Sequence, residues 1–204
     1  MIPDVQSQQP KHPTPCRAGI SELILYVDGH LATISATVAV PSSQRGAHMS
    51  RIVESLELHA GTWSRGGRER ALEELGEGAE VVLRKKVPVT VVAPATELRS
   101  TVMVDVTELL GQNSGLIVGA DVTLCCPCSR DISDHGAHNQ RARVEVSLRG
   151  RTVVDEHADI VDIVLNCGSA AVYGILKRTD EKWVTEQAYA NAMFVEDCAR
   201  SLRH

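Results

Sequence analysis

Aromatic side chains are nearly absent from this chain of 204 residues: one Phe, three Tyr and two Trp make up 3% of it. A core must therefore be built from Val, Leu, Ile and Ala, and the β-branched members of that set suit a pleated strand surface. Long apolar runs are also missing. No segment approaches the ~18 apolar residues that span a bilayer. The N-terminal stretch MIPDVQSQQPKHPTP is polar and proline-rich, without the apolar centre of a signal peptide. Together these absences predict a cytoplasmic chain that does not enter membranes. Positive charge is not in excess either. A net charge of −5 speaks against a general nucleic-acid binder, while leaving room for a local basic pocket for phosphates. The six cysteines stand at 16, 125, 126, 128, 167 and 198. Three of them fall within four residues, which is poor spacing for a disulfide scaffold. In a reducing compartment such a cluster is more often metal-binding or catalytic.

What is present suffices for a folded domain. Hydrophobic residues make up 43% of the chain, enough for one core or two small modules sharing one. Residues 1–18 hold four prolines and read as a mobile arm; the domain is expected over 19–204. LILYVDGHLATISATVAV predicts two strands around an Asp28-Gly29 turn. Ile52, Leu56 and His59 recur at helical spacing in IVESLELHAG, with Ser50 placed to cap that helix. ERALEELGEGAEVVLRKK reads as a second helix with a glycine interruption. Strands are expected over 87–93, 100–110 and 115–126, and another in ARVEVSLRG. HADIVDIVLNCGSAAVYGILK reads as a helix with Ile160, Ile163, Val164 and Cys167 on one face, and a last helix is expected from about Thr185 to the end. The order hairpin, helices, strands, helices indicates an α+β fold with an antiparallel sheet.

The stretch from Cys125 to Arg141 carries the most chemistry. Cys126, Cys128, Asp131, Asp134, His135 and His138 fall within thirteen residues. Thiolate and imidazole are the preferred ligands of zinc, and a catalytic zinc keeps one position open for water. A loop folding across Gly136 would bring Cys126 and His138 onto one ion, with a carboxylate from elsewhere as third donor. Spacing alone leaves open a redox-sensitive or merely compact turn, because C-x-C is not the usual paired-knuckle spacing.

CPCSRDISDHGAHNQR (126–141), RGAHMSR (45–51) and YGILKRTDEKWVTEQAYANAMFVED (173–197) resemble, in the same order, three motifs of the prokaryotic-type (type IB) GTP cyclohydrolases. The resemblance runs from about Asp28 to Arg200. It implies a tunnelling fold (T-fold), in which antiparallel sheets and paired helices close into a barrel between subunits of a homotetramer. It also implies the reaction of GTP with water to 7,8-dihydroneopterin triphosphate and formate, the first step towards folate-type pterins. By the family pattern Cys126, His138 and Glu181 are metal ligands, for zinc or for manganese or iron in its place. Cys128 and His135 are candidates for proton transfer. Glu196 in F-V-E-D would accept hydrogen bonds from the guanine N1–H and exocyclic amine. Arg51, His48, Lys177, Arg178 and Arg141 are candidates for the triphosphate.

The chain departs from that pattern at its end. Family members continue to an E-S-I-H-N-H-like strand bearing a further active-site His, whereas this sequence closes on SLRH, and His204 stands in another context. Glu-Asn-Pro of the family is Ala190-Asn191-Ala192 here, and Cys125 is an additional cysteine. Three other readings stand beside a GTP cyclohydrolase: an enzyme acting on a different purine or pterin, a catalytically silent purine- or pterin-binding homologue, and a closed structural zinc site.

Overall fold

The computed structural model of the chain describes residues 4–150 and 157–203. The chain is α+β. Six strands, β1 (Cys16–Val27), β2 (His30–Val40), β3 (Glu80–Val92), β4 (Arg99–Leu110), β5 (Gly115–Cys125) and β6 (Asn139–Arg149), neighbour one another in sequence order in one antiparallel sheet. Among the described residues six α-helices accompany them: α1 (Met49–Ala60), α2 (Gly67–Leu75), α3 (Pro127–Ile132), α4 (His157–Asn166), α5 (Arg178–Ala190) and α6 (Val195–Ser201). The residues divide into two compact units. Of the described residues, one comprises 4–86, 107–116 and 148–150; the other comprises 87–106, 117–147 and 157–203.

In the first unit the β1–β2 hairpin turns at Asp28 and Gly29, with φ of 48° and 82°, and Val27 pairs with His30. Two left-handed residues in succession are what a two-residue hairpin turn requires, and Asp-Gly supplies them at least strain. The Asp28 carboxylate also accepts the Ser64 N–H at 2.8 Å. No atom lies within 4 Å of a Cβ built on Gly29. Gly29→Ala therefore tests backbone strain alone, and is expected to cost about 1 kcal/mol, read as a Tm lowered by roughly 2–4 °C.

Ile52, Leu56 and His59 face inwards as the helical spacing predicts, joining Ile34, Leu83 and Trp63 in burial. Trp63 supplies bulk that the sequence has little of, and its Nε1–H donates to Glu108 at 3.0 Å. Glu108 is 4% exposed, and Lys85 Nζ lies 3.1 Å from its other oxygen. A carboxylate so buried is tolerable only with such partners.

Several expectations are corrected. Ser50 does not cap α1; His48 is the N-cap, without a side-chain cap bond, and Ser50 lies within the first turn. ERALEELGEGAEVVLRKK is not one helix. Gly76 and Gly78 take φ of 90° and 74°, which ends α2 at Leu75, and the β-branched run after them enters β3. Residues 87–93 are thus mostly the second half of that strand rather than a strand of their own.

In the second unit Val118, Val122, Leu124 and Val164 are among the deeply buried side chains. Helix α4 stops at Asn166 rather than running to Lys177, because Ser169 and Ala170 leave the helix to bond with Thr123 of β5 (Ser169 N–H to Thr123 O, 2.8 Å). Its inward face is Ile160, Val161, Val164 and Leu165, while Ile163 is exposed. The final helix begins at Arg178, not near Thr185, and breaks at Asn191 before α6. His204 lies outside the described residues.

Candidate functional site

The cysteine-rich loop starts where β5 ends. Pro127 occupies the first turn of α3, where its missing N–H leaves no bond unmade. Gly136, at φ 123°, then turns the chain back. The return brings Cys126 and His138 together: the Cys126 N–H donates to the His138 carbonyl at 2.9 Å. Ser129 ties the same two residues a second time. Its hydroxyl donates to the Cys126 carbonyl at 3.0 Å and accepts the His138 N–H at 2.9 Å.

The three clustered cysteines differ in environment. Cys125 is 1% exposed, and burial pushes its thiol above the ordinary value. Its N–H donates to Ser169 Oγ at 2.9 Å, and its carbonyl accepts from the Met193 N–H at 3.1 Å. Cys126 is half-buried at the N-cap of α3. The Ser129 backbone N–H foremost, with smaller help from Cys128, holds its thiol below the ordinary value. A thiol biased towards thiolate is the form that ligates metal. Cys128 is exposed on α3. Elsewhere, burial first and the neighbouring Cys198 sulfur second push Cys167 up to about 12, so it is a poor thiolate.

Helix α5 flanks this loop. Ala137 of the loop and Val184 of α5 both pack against the buried cluster of Cys125, Ala170 and Ala188. A cleft of about 510 Å³ is walled by His135, Gly136, Ala137 and Asn139 from the loop and by Thr185, Glu186 and Tyr189 from α5. Glu181, Thr185 and Tyr189 are four residues apart in turn, so they form one stripe of the helix. Glu181 thus stands one turn before two residues of the cleft wall. Its neighbour Asp180, which sequence reasoning passed over, is fully buried. Asp180 accepts the Ala95 and Thr96 N–H groups at 2.9 Å each, the Thr96 hydroxyl at 2.6 Å and the Lys177 N–H at 3.1 Å. The three-residue spacing from the helix cap was a signal for the last of these bonds. Burial pushes this carboxyl up, and the donors outweigh it and hold it below its ordinary value.

The remaining candidates are distributed as follows. His135, His138, Arg141, Lys177, Arg178, Glu181 and Glu196 are all exposed in the second unit. Arg141 reaches Asp121 at 3.9 Å. Lys177 caps α5, and Glu196 lies in the first turn of α6, where a carboxylate suits the helix dipole. His48 and Arg51 belong to the first unit. There they line a smaller pocket of about 210 Å³ with Gln44, Gly46 and Glu74, and His48 Nε2 lies 3.5 Å from Asp4.

In donor chemistry and in loop closure, Cys126 and His138 fit a divalent ion that accepts sulfur and nitrogen. Among the described residues, no three His, Cys, Asp or Glu side chains gather closely enough to hold an ion. No described helix is long and apolar enough to cross a membrane.

Comparison with known proteins extends the motif resemblance to the whole chain. A family model described as type I GTP cyclohydrolase FolE2 matches residues 2–204. GTP cyclohydrolase FolE2 1 of Dechloromonas aromatica is 38% identical, over 84% of this chain and 68% of its own length. GTP cyclohydrolase FolE2 of Syntrophotalea carbinolica is 36% identical over 84% of this chain and 68% of its own. GTP cyclohydrolase FolE2 of Neisseria gonorrhoeae is 34% identical, over 98% of this chain and 85% of its own length. With the cysteine loop, RGAHMSR and the α5–α6 block inside one continuous match, the chain belongs to the type I GTP cyclohydrolase FolE2 family.

Proposed function

We propose that this chain is a metal-dependent GTP cyclohydrolase, converting GTP and water to 7,8-dihydroneopterin triphosphate and formate at the start of tetrahydrofolate and pterin biosynthesis. The observation that carries the reading is the family match over residues 2–204, which includes the loop that ties Cys126 to His138. Cys126, His138 and Glu181 would hold a zinc ion, with manganese or iron as substitutes. Such an ion, when bound, acts as a Lewis acid and makes water nucleophilic at neutral pH.

The chain's own groups do the rest. Glu196 accepts two hydrogen bonds from the guanine N1–H and exocyclic amine, a pairing adenine cannot make. Cys128 and His135 exchange protons with the imidazole ring as it opens and as formate leaves. Arg51, His48, Lys177, Arg178 and Arg141 supply cationic groups for the triphosphate. The assembly is a homotetramer of T-fold type in the cytoplasm, with active sites between subunits. Support for a covering partner comes from the hairpin, where Ile24, Tyr26 and Leu31 are 65%, 70% and 59% exposed.

The test is incubation of zinc-loaded protein with GTP, measuring formate and the fluorescence of the oxidised pterin. Both are expected to rise together. Glu196→Ala is expected to lower kcat/KM about 10–100-fold, as for one or two lost hydrogen bonds to a charged group, with zinc content unchanged. Protein that binds zinc yet releases no formate from GTP would be a purine- or pterin-binding relative or an enzyme for another substrate.

A further inference from the structure

We infer that Ser129 is a positioning residue whose hydroxyl sets the spacing of Cys126 and His138. This rests on the reading of those two residues as metal ligands. The hydrogen bonds form a closed cycle. The Cys126 N–H donates to the His138 carbonyl; the His138 N–H donates to Ser129 Oγ; the Ser129 hydroxyl donates to the Cys126 carbonyl. All four backbone polar groups of the two residues are engaged in it, the Cys126 carbonyl also accepting the Arg130 N–H at 3.1 Å. In the hydrogen-bonded pairs of an antiparallel ladder, opposed residues exchange two direct N–H···O bonds. Here one bond is direct and the other is relayed through a hydroxyl, so the two backbones are held together and also held apart by one oxygen.

A hydroxyl has one proton and two lone pairs. The cycle uses the proton towards Cys126 and a lone pair towards His138, which fixes the rotor. Alanine offers neither role. Threonine offers both, and valine keeps threonine's shape without the oxygen. The direct bond from Cys126 to His138 survives all of these changes, so the loop still closes without the hydroxyl but its spacing is no longer defined. Groups that orient ligands from outside the coordination sphere commonly change metal affinity by about 10–100-fold when removed.

The experiment is titration of the full chain with cobalt(II) alone, following the thiolate-to-cobalt absorption, with zinc affinity read by competition against a chromogenic chelator. Far-UV circular dichroism and Tm are measured alongside. Ser129→Ala and Ser129→Val are expected to bind both ions about 10–100-fold more weakly, with an altered cobalt band and near-native dichroism. Ser129→Thr is expected to bind like wild type. Wild-type affinity in the alanine or valine variant overturns the inference. If alanine and valine variants do not fold while threonine does, the hydroxyl serves the fold and not the ion, and the inference is again overturned. Cys126→Ala separates the two levels: if it binds cobalt as wild type does, the ligand reading itself fails; if it alone loses binding, only the role of Ser129 fails.

Discussion

Cys126→Ala is expected to lower formate release from GTP at least ~10³-fold and to abolish the thiolate-to-cobalt absorption in the same preparation. The size follows from what leaves with the sulfur. Metal activation of water is worth several kcal/mol of transition-state stabilisation, and each 1.36 kcal/mol is a factor of about ten in rate. Two neighbours make the test specific. Cys125 is buried with a raised thiol, so Cys125→Ala removes packing volume but no donor, and should lower Tm while keeping the cobalt band. Cys128 is exposed, so Cys128→Ala should keep the ion and slow only the proton-dependent steps. Glu181→Ala, on the stripe of α5 that continues into the cleft wall, should lower turnover and weaken cobalt(II) binding while the thiolate band returns at higher cobalt(II). Should Cys126→Ala keep turnover and band while Cys125→Ala loses them, the ligand has been assigned to the wrong sulfur.

Legibility in the sequence follows the range of the interactions involved. Asp28-Gly29 announced its hairpin because two left-handed residues in succession are a local requirement that few residue pairs meet. Segment 69–86 misled for the opposite reason: Glu, Ala, Leu, Arg and Lys favour helix locally, but the residues after Gly78 pair with β2, Leu83 against Ile34 and Lys85 against Ala32, and that pairing is decided by distant chain. The same holds for the last helix, whose start is fixed by bonds from residues 95 and 96. At the candidate site, donor type and an intervening glycine pointed to Cys126 and His138 as a proposed ligand pair, and the structure joins their backbones. Glu181 is proposed as a ligand through motif resemblance alone, since an exposed carboxylate in the first turn of a helix is ordinary. The burial of Asp180 and the bond from His138 to Ser129 were not readable from the sequence, because neither follows from local spacing.

Asp180→Ala is expected to lower Tm by roughly 5–10 °C, and Asp180→Asn by nearly as much. Four donors converge on this carboxylate. Alanine leaves all of them without their acceptor in a buried place. Asparagine replaces one acceptor oxygen with an N–H₂ group that must face donors, so the conservative change conserves shape and inverts the chemistry at half the site. The pH dependence identifies charge as the cause. The folded carboxyl is held below its ordinary value of 3.8, so its ionised form contributes stability that is fully present above that value and is lost as pH falls through the lower folded one. The Tm gap between wild type and Asp180→Asn should therefore be constant near neutrality and shrink below about pH 4, where the carboxyl of the unfolded chain begins to take up a proton that the folded one still refuses. A gap that does not change with pH would mean that shape, not charge, sets the requirement. Asp180 accepts the backbone N–H of Lys177, a candidate for the triphosphate, and fixes residues 95 and 96 to the start of α5; Glu181 is the next residue along. Loosening that start is expected to weaken cobalt(II) binding at temperatures where the variant remains folded, because the acid meant for the ion is then carried on a frayed first turn.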